Sequence, residues 1–403
     1  MNPKRTSSVQ DVHSSKPPFG SRKNADVWSQ NAWDHVPPPA DQDALVAASL
    51  ARQLAAPVPD DDKPKYNTKP EKHWDNFYKT NASNFFKNRK WLHLEFPELL
   101  AAAGLSAGPR TVVEIGCGAG NAIFPLLAQN RNPELRIHAF DYSSHAVKLV
   151  QHNVLYTSPP CGDITAAVWD LSSIIPPPGL APRSADIVVL VFVLSALHPS
   201  EWPRAIFNIA RMLKPGGLVL MRDYGRHDLA QLRFKAGRLL DENFYIRGDS
   251  TRVYFFELDE LAVLFTGSVA PPTAHVQLQL QLQAARGSES DPIEVDEENG
   301  GRDTASPGGA NDEDEEEECF PDVPALPTPP PGSDGALPSG SDDTPAHVIH
   351  PSLRDPDALG LAHPLFAIKQ LGVDRRLLVN RKRQLKMYRV WMQGKFQRTE
   401  DGS

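Results

Sequence analysis

Short apolar runs alternate with helical-period stretches between residues 111 and 224, and this alternation is the strongest structural signal in the chain. Runs rich in branched and aromatic side chains at 111–115, 136–141, 166–170, 185–193 and 217–224 read as strands. Between them, 121–129, 144–154 and 203–213 place apolar residues at helical spacing. Strands that are apolar on both faces and separated by helices predict a parallel sheet covered on both sides. Lys214-Pro-Gly-Gly217 marks a sharp turn that hands a helix back to a strand. A further strand-then-helix pattern covers 254–265, and two more strands are expected at 375–379 and 387–397. Upstream, 65–100 turns helical, with Trp74, Phe77, Tyr78, Phe85, Phe86, Trp91, Leu92 and Phe96 on the apolar positions. Rings at that spacing read as packing. The interleaved Lys72, Lys79, Lys87, Arg89 and Lys90 read either as a phosphate-tracking face or as an ordinary solvated one.

Two segments break the pattern. Residues 1–62 are polar and Pro-rich, and are expected to be disordered or to lie as an arm on another surface. Residues 268–352 run from a Gln-rich alternation into an acidic block and a Pro/Ser/Gly tract that cannot bury enough apolar surface to order itself. The expected organisation is an arm at 1–62, a helical extension at 63–104, a core at 105–267, the acidic insert at 268–352, and C-terminal strands at 353–398 that complete the sheet.

Composition sharpens this division. The 403 residues include 38 prolines, too many for one packed core throughout. The formal net charge is −8, yet residues 268–352 hold 18 acidic and two basic side chains, and the remainder carries 40 basic against 32 acidic residues. The ordered part is therefore basic, which suits an anionic partner such as nucleic acid. The longest apolar run, 187–197, is half the length of a membrane span and reads as a strand. Cys117, Cys161 and Cys319 have no metal spacing, so no metal is expected and a reducing compartment is. The first residues lack an apolar leader, and a cytoplasmic location is the expectation, with a nuclear or mitochondrial pool open.

Candidate chemistry begins at 111–121, Thr-Val-Val-Glu-Ile-Gly-Cys-Gly-Ala-Gly-Asn. A buried strand runs into Gly116, Gly118 and Gly120, where the backbone can turn tightly and lie against a ligand. The spacing is one residue shorter than the dinucleotide fingerprint, and Glu114 precedes the first glycine. That favours a ligand without pyrophosphate, such as S-adenosylmethionine, over a plain structural turn. In an open parallel sheet ligands bind beyond the carboxyl ends of the strands. Asp141 ends the second strand, where it could take a ribose diol, and Asp170 ends the third, where it could receive an adenine amino group. Ser195 and the Arg222-Asp-Tyr-Gly225 run follow the fourth and fifth.

Two further blocks, Asp223-Tyr-Gly-Arg-His-Asp-Leu-Ala-Gln-Leu-Arg-Phe-Lys235 and Glu242-Asn-Phe-Tyr-Ile-Arg-Gly-Asp-Ser-Thr-Arg-Val-Tyr-Phe-Phe256, resemble the signature segments of the methyltransferase-like family that makes 3-methylcytidine in tRNA. The similarity extends to 72–100, to the glycine motif and to 375–397, in all roughly 250 of the 403 residues. The 28–35 block resembles the branch that modifies cytidine 32 of threonine and related tRNAs. The chain departs from the pattern in its acidic insert and in the Pro-rich stretch at 176–178.

The resemblance implies a class I S-adenosylmethionine-dependent methyltransferase, a Rossmann-like sheet of seven strands with the last one antiparallel, an N-terminal helical extension and a disordered acidic insert. It implies that Glu114, Gly116, Gly118, Gly120, Asp141 and Asp170 hold the cofactor, with Ser195 near its methionine end. The implied RNA side is Arg222, Arg226, Arg233, Lys235, Arg247, Asp249 and Arg252, with Lys87, Arg89 and Lys90. Asp223 is the candidate for stabilising charge on the base, unless it is instead salt-bridged to Arg226 or Arg252. Tyr224 or Phe244 would stack on the base. An aminoacyl-tRNA synthetase or other helper is a possible partner. Two other readings stay open on the sequence: a methyltransferase for a protein or small molecule, and a non-catalytic RNA-binding subunit.

Overall fold

The computed structural model describes residues 32–34, 38, 42–83, 85–86, 88–89, 91–274, 349–354, 360–380 and 385–400. The strands are β1 (Ala32–Asp34), β2 (Arg110–Ile115), β3 (Leu135–Asp141), β4 (Asp163–Val168), β5 (Ala185–Val191), β6 (Leu213–Tyr224), β7 (Leu239–Asp241), β8 (Phe244–Ile246), β9 (Arg252–Tyr254), β10 (Phe366–Asn380) and β11 (Leu385–Arg398). The helices are α1 (Gln42–Ala55), α2 (Lys63–Asn67), α3 (Pro70–Asn81), α4 (Leu92–Glu95), α5 (Pro97–Ala102), α6 (Ile123–Gln129), α7 (Ser144–Gln151), α8 (Val154–Thr157), α9 (Trp202–Met212), α10 (Leu229–Leu232) and α11 (Leu258–Thr266).

The main sheet runs β1-β10-β11-β6-β5-β2-β3-β4, and β7, β8 and β9 form a small antiparallel sheet of their own. Strands β4, β3, β2, β5 and β6 pair in parallel, whereas β11 enters antiparallel between β6 and β10. This is the seven-strand class I methyltransferase arrangement. An eighth strand, β1, is added antiparallel at the β10 edge, with Trp33 opposite Leu377. Period-2 alternation assigns the two faces. Val113, Ile115, Val188 and Leu190 pack beneath α9 and α11, and Val112, Ile137, Ala139 and Val189 pack beneath α5, α6 and α7. Both faces are covered at β2 and β5, which is why those strands read as continuous apolar runs, whereas the edge strand β4 is largely exposed.

The local expectations meet the structure with three differences. Strand β4 spans Asp163–Val168 and stops two residues before Asp170, which lies in the following loop. The 214–217 turn falls within β6, and regular pairing with β5 resumes at Leu218. The largest difference is α1, a 14-residue helix inside the segment expected to be disordered. Its Ala, Leu, Gln and Arg content favours a helix, but its buried face consists of Gln42, Ser49 and Gln53. Gln53 Nε2 donates to the carbonyl of Gln231 (2.8 Å), and the Tyr245 hydroxyl donates to Gln53 Oε1 (2.8 Å). A helix docked by amides has no apolar stripe to find. The rest of the expected arm (1–31), most of the acidic insert (275–348), and Arg381, Lys382 and Arg383 lie outside the described residues.

Candidate active site

Gly116, Gly118 and Gly120 all have positive φ (65°, 53° and 86°), a backbone region that side chains disfavour. The space above them is also taken. A Cβ on Gly116 would lie 2.7 Å from Val193 Cγ2, one on Gly118 would strike the Tyr78 hydroxyl, and one on Gly120 would strike the Phe124 ring. Asp141 fixes the loop from the end of β3. Its Oδ2 accepts from the Gly118 amide (2.9 Å) and its Oδ1 from the Ser143 amide (2.8 Å). Burial pushes the Asp141 carboxyl up to about 6, against the pull of those two amides.

Glu114 lies 3 % exposed in β2, and its Oε2 is buried without a hydrogen-bond partner. Burial pushes it up to about 8, while the Arg89 guanidinium draws it the other way. A carboxylate oxygen left unmatched in the core is costly unless something polar arrives. Together with the glycine cradle, it fits the amine or hydroxyl of a bound cofactor. Tyr142, the residue after Asp141, lines a cleft of about 290 Å³ together with Asp170, Glu201, Asn67, Thr68 and Glu71. The Tyr142 hydroxyl is a second buried polar atom without a partner. Asp170 already accepts from the Ser172 amide and hydroxyl (both 2.8 Å) through Oδ1.

The roof of this site comes from the N-terminal extension, which the sequence assigned to packing and RNA. Asp75 on α3 accepts from the Ser143 hydroxyl (2.7 Å) and the His145 amide (3.1 Å), capping α7 and drawing α3 over Asp141. Tyr78, one turn on, is buried against Gly118 and within electrostatic reach of Asp141, Cys117, Arg89 and Glu114. Its ring does pack, as expected, but its hydroxyl faces the glycine loop. The one hint in the sequence was a polar tip among otherwise apolar rings.

On the acceptor side, Asp223 is 1 % exposed at the end of β6. It accepts from the Ser195 amide (3.0 Å) and the Tyr224 amide (2.8 Å), and the Ser195 hydroxyl also bonds it. Burial pushes its carboxyl up to about 6, and those bonds and the Arg247 charge oppose the shift. Neither expected salt bridge forms: Arg226 pairs with Glu257 (3.2 Å) and Arg252 with Glu201 (3.0 Å). Ser195 is thus buried against Asp223. The Tyr224 ring lies 4.6 Å from Phe192, with the Arg247 guanidinium 5.4 Å over it. Phe244, the alternative stacking residue, is 1 % exposed against His198 and Tyr254, and Tyr224 is itself only 4 % exposed, so neither ring lies open to a base.

The general family described as a methyltransferase domain matches residues 113–219. The tRNA(Thr) (cytosine(32)-N(3))-methyltransferase of Saccharomyces cerevisiae is 48 % identical over 255 residues, 62 % of this chain, which spans only 40 % of that relative's length. The tRNA N(3)-methylcytidine methyltransferase of Schizosaccharomyces pombe is 37 % identical over 399 residues, 98 % of this chain and 97 % of that protein. The chain belongs to the tRNA N(3)-cytidine methyltransferase family. A Xenopus tropicalis member is 37 % identical over 68 % of this chain and 90 % of its own.

Within this family member the residues assigned to RNA divide by burial. Lys235 is exposed, and Arg226, Arg233 and Arg247 are half-buried. Arg89 is half-buried, with its guanidinium 5.1 Å over the Phe192 ring and its charge within reach of Glu114. Lys87 and Lys90 lie outside the described residues. Asp249 caps a turn, accepting from the Thr251 amide (2.8 Å) and hydroxyl (2.7 Å). Two assignments are corrected. Arg252 is 2 % exposed and tied to Glu201 and the Ala196 carbonyl. Arg222 is 1 % exposed, bonded to Asp374 (2.5 Å) and Gln393 (2.7 Å), and sandwiched between Trp91 and Trp391. Both arginines are core members that RNA cannot reach.

The Arg222 cluster also holds Arg376, which bonds Asp374 (3.0 Å) and Glu95 (2.7 Å), so α4, β6, β10 and β11 meet in one buried ionic knot. Removing one member strands the others. Asp374→Ala is expected to lower stability by about 3–5 kcal/mol, read from the denaturant midpoint. A loss below about 1 kcal/mol would mean water enters and solvates the arginines.

Proposed function

We propose that this chain is an S-adenosylmethionine-dependent methyltransferase that forms 3-methylcytidine in tRNA, at position 32 of threonine-type tRNAs. The supporting observation is the end-to-end similarity to the S. pombe relative, whose name carries that product. The assignment to position 32 and to threonine tRNA draws on the name of the S. cerevisiae relative. The glycine cradle and the two buried polar atoms without partners, on Glu114 and Tyr142, fit the cofactor this reading requires.

When bound, the cofactor supplies an electrophilic methyl group. Glu114 and Asp141 would bind it, Asp141 through the ribose hydroxyls, with Asp170 on the adenine side. The acceptor, N3 of neutral cytosine, has a free lone pair, so no base catalyst is needed to uncover it. Alkylation leaves positive charge on the ring, and Asp223 in its dry setting would stabilise that charge as it develops. Because N3 faces its Watson–Crick partner, the cytidine must be unpaired and turned out of the stack. The half-buried Arg226, Arg233 and Arg247 with exposed Lys235 would hold the phosphates on either side.

The deciding experiment is transfer from labelled cofactor to bulk tRNA of a strain lacking this protein, with the modified nucleoside read by mass spectrometry. 3-Methylcytidine is the expected product. Another methylated nucleoside, or methylated protein only, would refute the reading. Asp141 and Asp223 are both carboxylates pushed up to about 6, and both work ionised. At saturating cofactor, transfer should therefore hold above neutrality and fall as the pH drops through about 6, whereas Glu114, pushed up to about 8, would shift cofactor affinity above neutrality. A rate flat from pH 5 to 8 would remove both from the mechanism. A helper protein, such as a synthetase bound to the same tRNA, is proposed if the purified chain is much slower than the chain in extract. The cytoplasm is the proposed location, to be checked by fractionation.

A further inference from the structure

We infer that Phe192 is the wall on which the target cytosine stacks, an assignment that rests on the tRNA-cytidine reading and names the side chain that holds the base. Phe192 follows β5 directly and has φ of 59°. For a bulky aromatic residue this left-handed conformation is a genuine outlier. Such residues persist only where the surroundings over-determine them, and they gather at functional sites. Here the surroundings are specific. The Phe192 amide donates to the carbonyl of Arg222 (2.8 Å), and Arg222 is locked in the buried ionic knot. The next residue, Val193, turns back under Gly116. The next but two, Ser195, is bonded to Asp223.

This kink separates two neighbouring side chains. Val193 supports the glycine loop on the cofactor side, while Phe192 points to Tyr224 on the acceptor side, 4.6 Å between ring centroids. A base lying on Phe192 therefore sits between the glycine loop and the Asp223–Tyr224 pair, where a methyl acceptor has to be. The ring is only half-buried, unlike Phe244, Phe255 and Phe256 nearby. It already carries a planar group: the Arg89 guanidinium lies 5.1 Å from its centroid. The guanidinium charge over that ring marks the face as one that takes a polar planar partner, and Arg89 would border the base. A purely structural Phe192 would fill the gap between the Tyr224 cluster and the sheet with apolar bulk, a role leucine could share.

Three variants separate these roles: Phe192→Leu, Phe192→Tyr and Phe192→Gly. Base–aromatic stacking corresponds to about 5- to 150-fold in affinity. Phe192→Leu should bind S-adenosylmethionine like the wild type but lose at least about fivefold in kcat/KM for tRNA. Phe192→Tyr should keep near-wild-type values for both. Phe192→Gly relieves the backbone and should still lose tRNA turnover, so the loss would not trace to strain. Wild-type kcat/KM in Phe192→Leu would overturn the inference, and so would joint loss of cofactor binding and turnover in that variant. If the wild-type chain itself makes no 3-methylcytidine, the functional reading fails instead, and the two failures are distinct.

Discussion

Asp141→Ala and Asp141→Asn are both expected to abolish measurable methyl transfer, a loss beyond about 100-fold, with cofactor binding lost in parallel. The alanine variant leaves two buried amides, of Gly118 and Ser143, without their acceptor. Each orphaned donor costs about 1–3 kcal/mol. The asparagine variant is the sharper test because it keeps the shape. Each carboxylate oxygen of Asp141 faces its own N–H, so an amide must turn its NH2 group toward one of them. Donor then meets donor, and the glycine loop loses the geometry that admits a ligand. Titration calorimetry with S-adenosylmethionine reads this directly. Wild-type affinity in Asp141→Asn would show that the loop is held by other contacts and that Asp141 is not the ribose anchor.

Asp223→Asn is expected to lower kcat by about 100- to 1,000-fold, a larger loss than in the KM for tRNA or the cofactor affinity, which also weaken because the Asn NH2 must face the Ser195 or the Tyr224 amide. The carboxylate is dry and has no salt-bridge partner within 4 Å among the described residues, so its charge is available to a cation forming beside it. It also accepts three bonds, from the amide and hydroxyl of Ser195 and from the Tyr224 amide. A purely structural Asp223 would show its loss differently. Misplacing Ser195 and Tyr224 alone would raise KM or weaken cofactor binding at least as much as it slows the chemical step. Single-turnover rates at saturating tRNA separate the cases, and an unchanged single-turnover rate would remove Asp223 from the chemistry.

The two corrected arginines show where local reading ends. Arg222 and Arg252 stand in polar blocks beside residues that do line the site, and their type suits phosphate equally well. Their partners decide otherwise. Asp374 is 152 positions from Arg222, and Gln393 is 171. Glu201 is 51 from Arg252. No window along the chain joins these pairs. Lys235 and Arg233, by contrast, follow the short α10, where Lys235 is exposed and Arg233 half-buried, so their placement leaves the RNA reading open to them. Helix α1 leaves no local signal for a related reason, since its docking face is built from Gln42, Ser49 and Gln53. Hydrophobic period is a search for apolar faces, and this face is polar.

The sequence by itself determined the sheet and the loop at its centre. Strand and helix periods, the glycines at 116, 118 and 120, and acids placed at strand ends are all demands met within a few residues, through backbone sterics and side-chain alternation. Tertiary structure alone decided which charges are buried, that β1 extends the sheet past seven strands, and that Tyr78 and Asp75 close the glycine loop from a helix before the core. It also set Phe192 facing Tyr224. These features depend on which distant groups meet in a low-dielectric interior, where a charge or amide must find its partner whatever the separation along the chain.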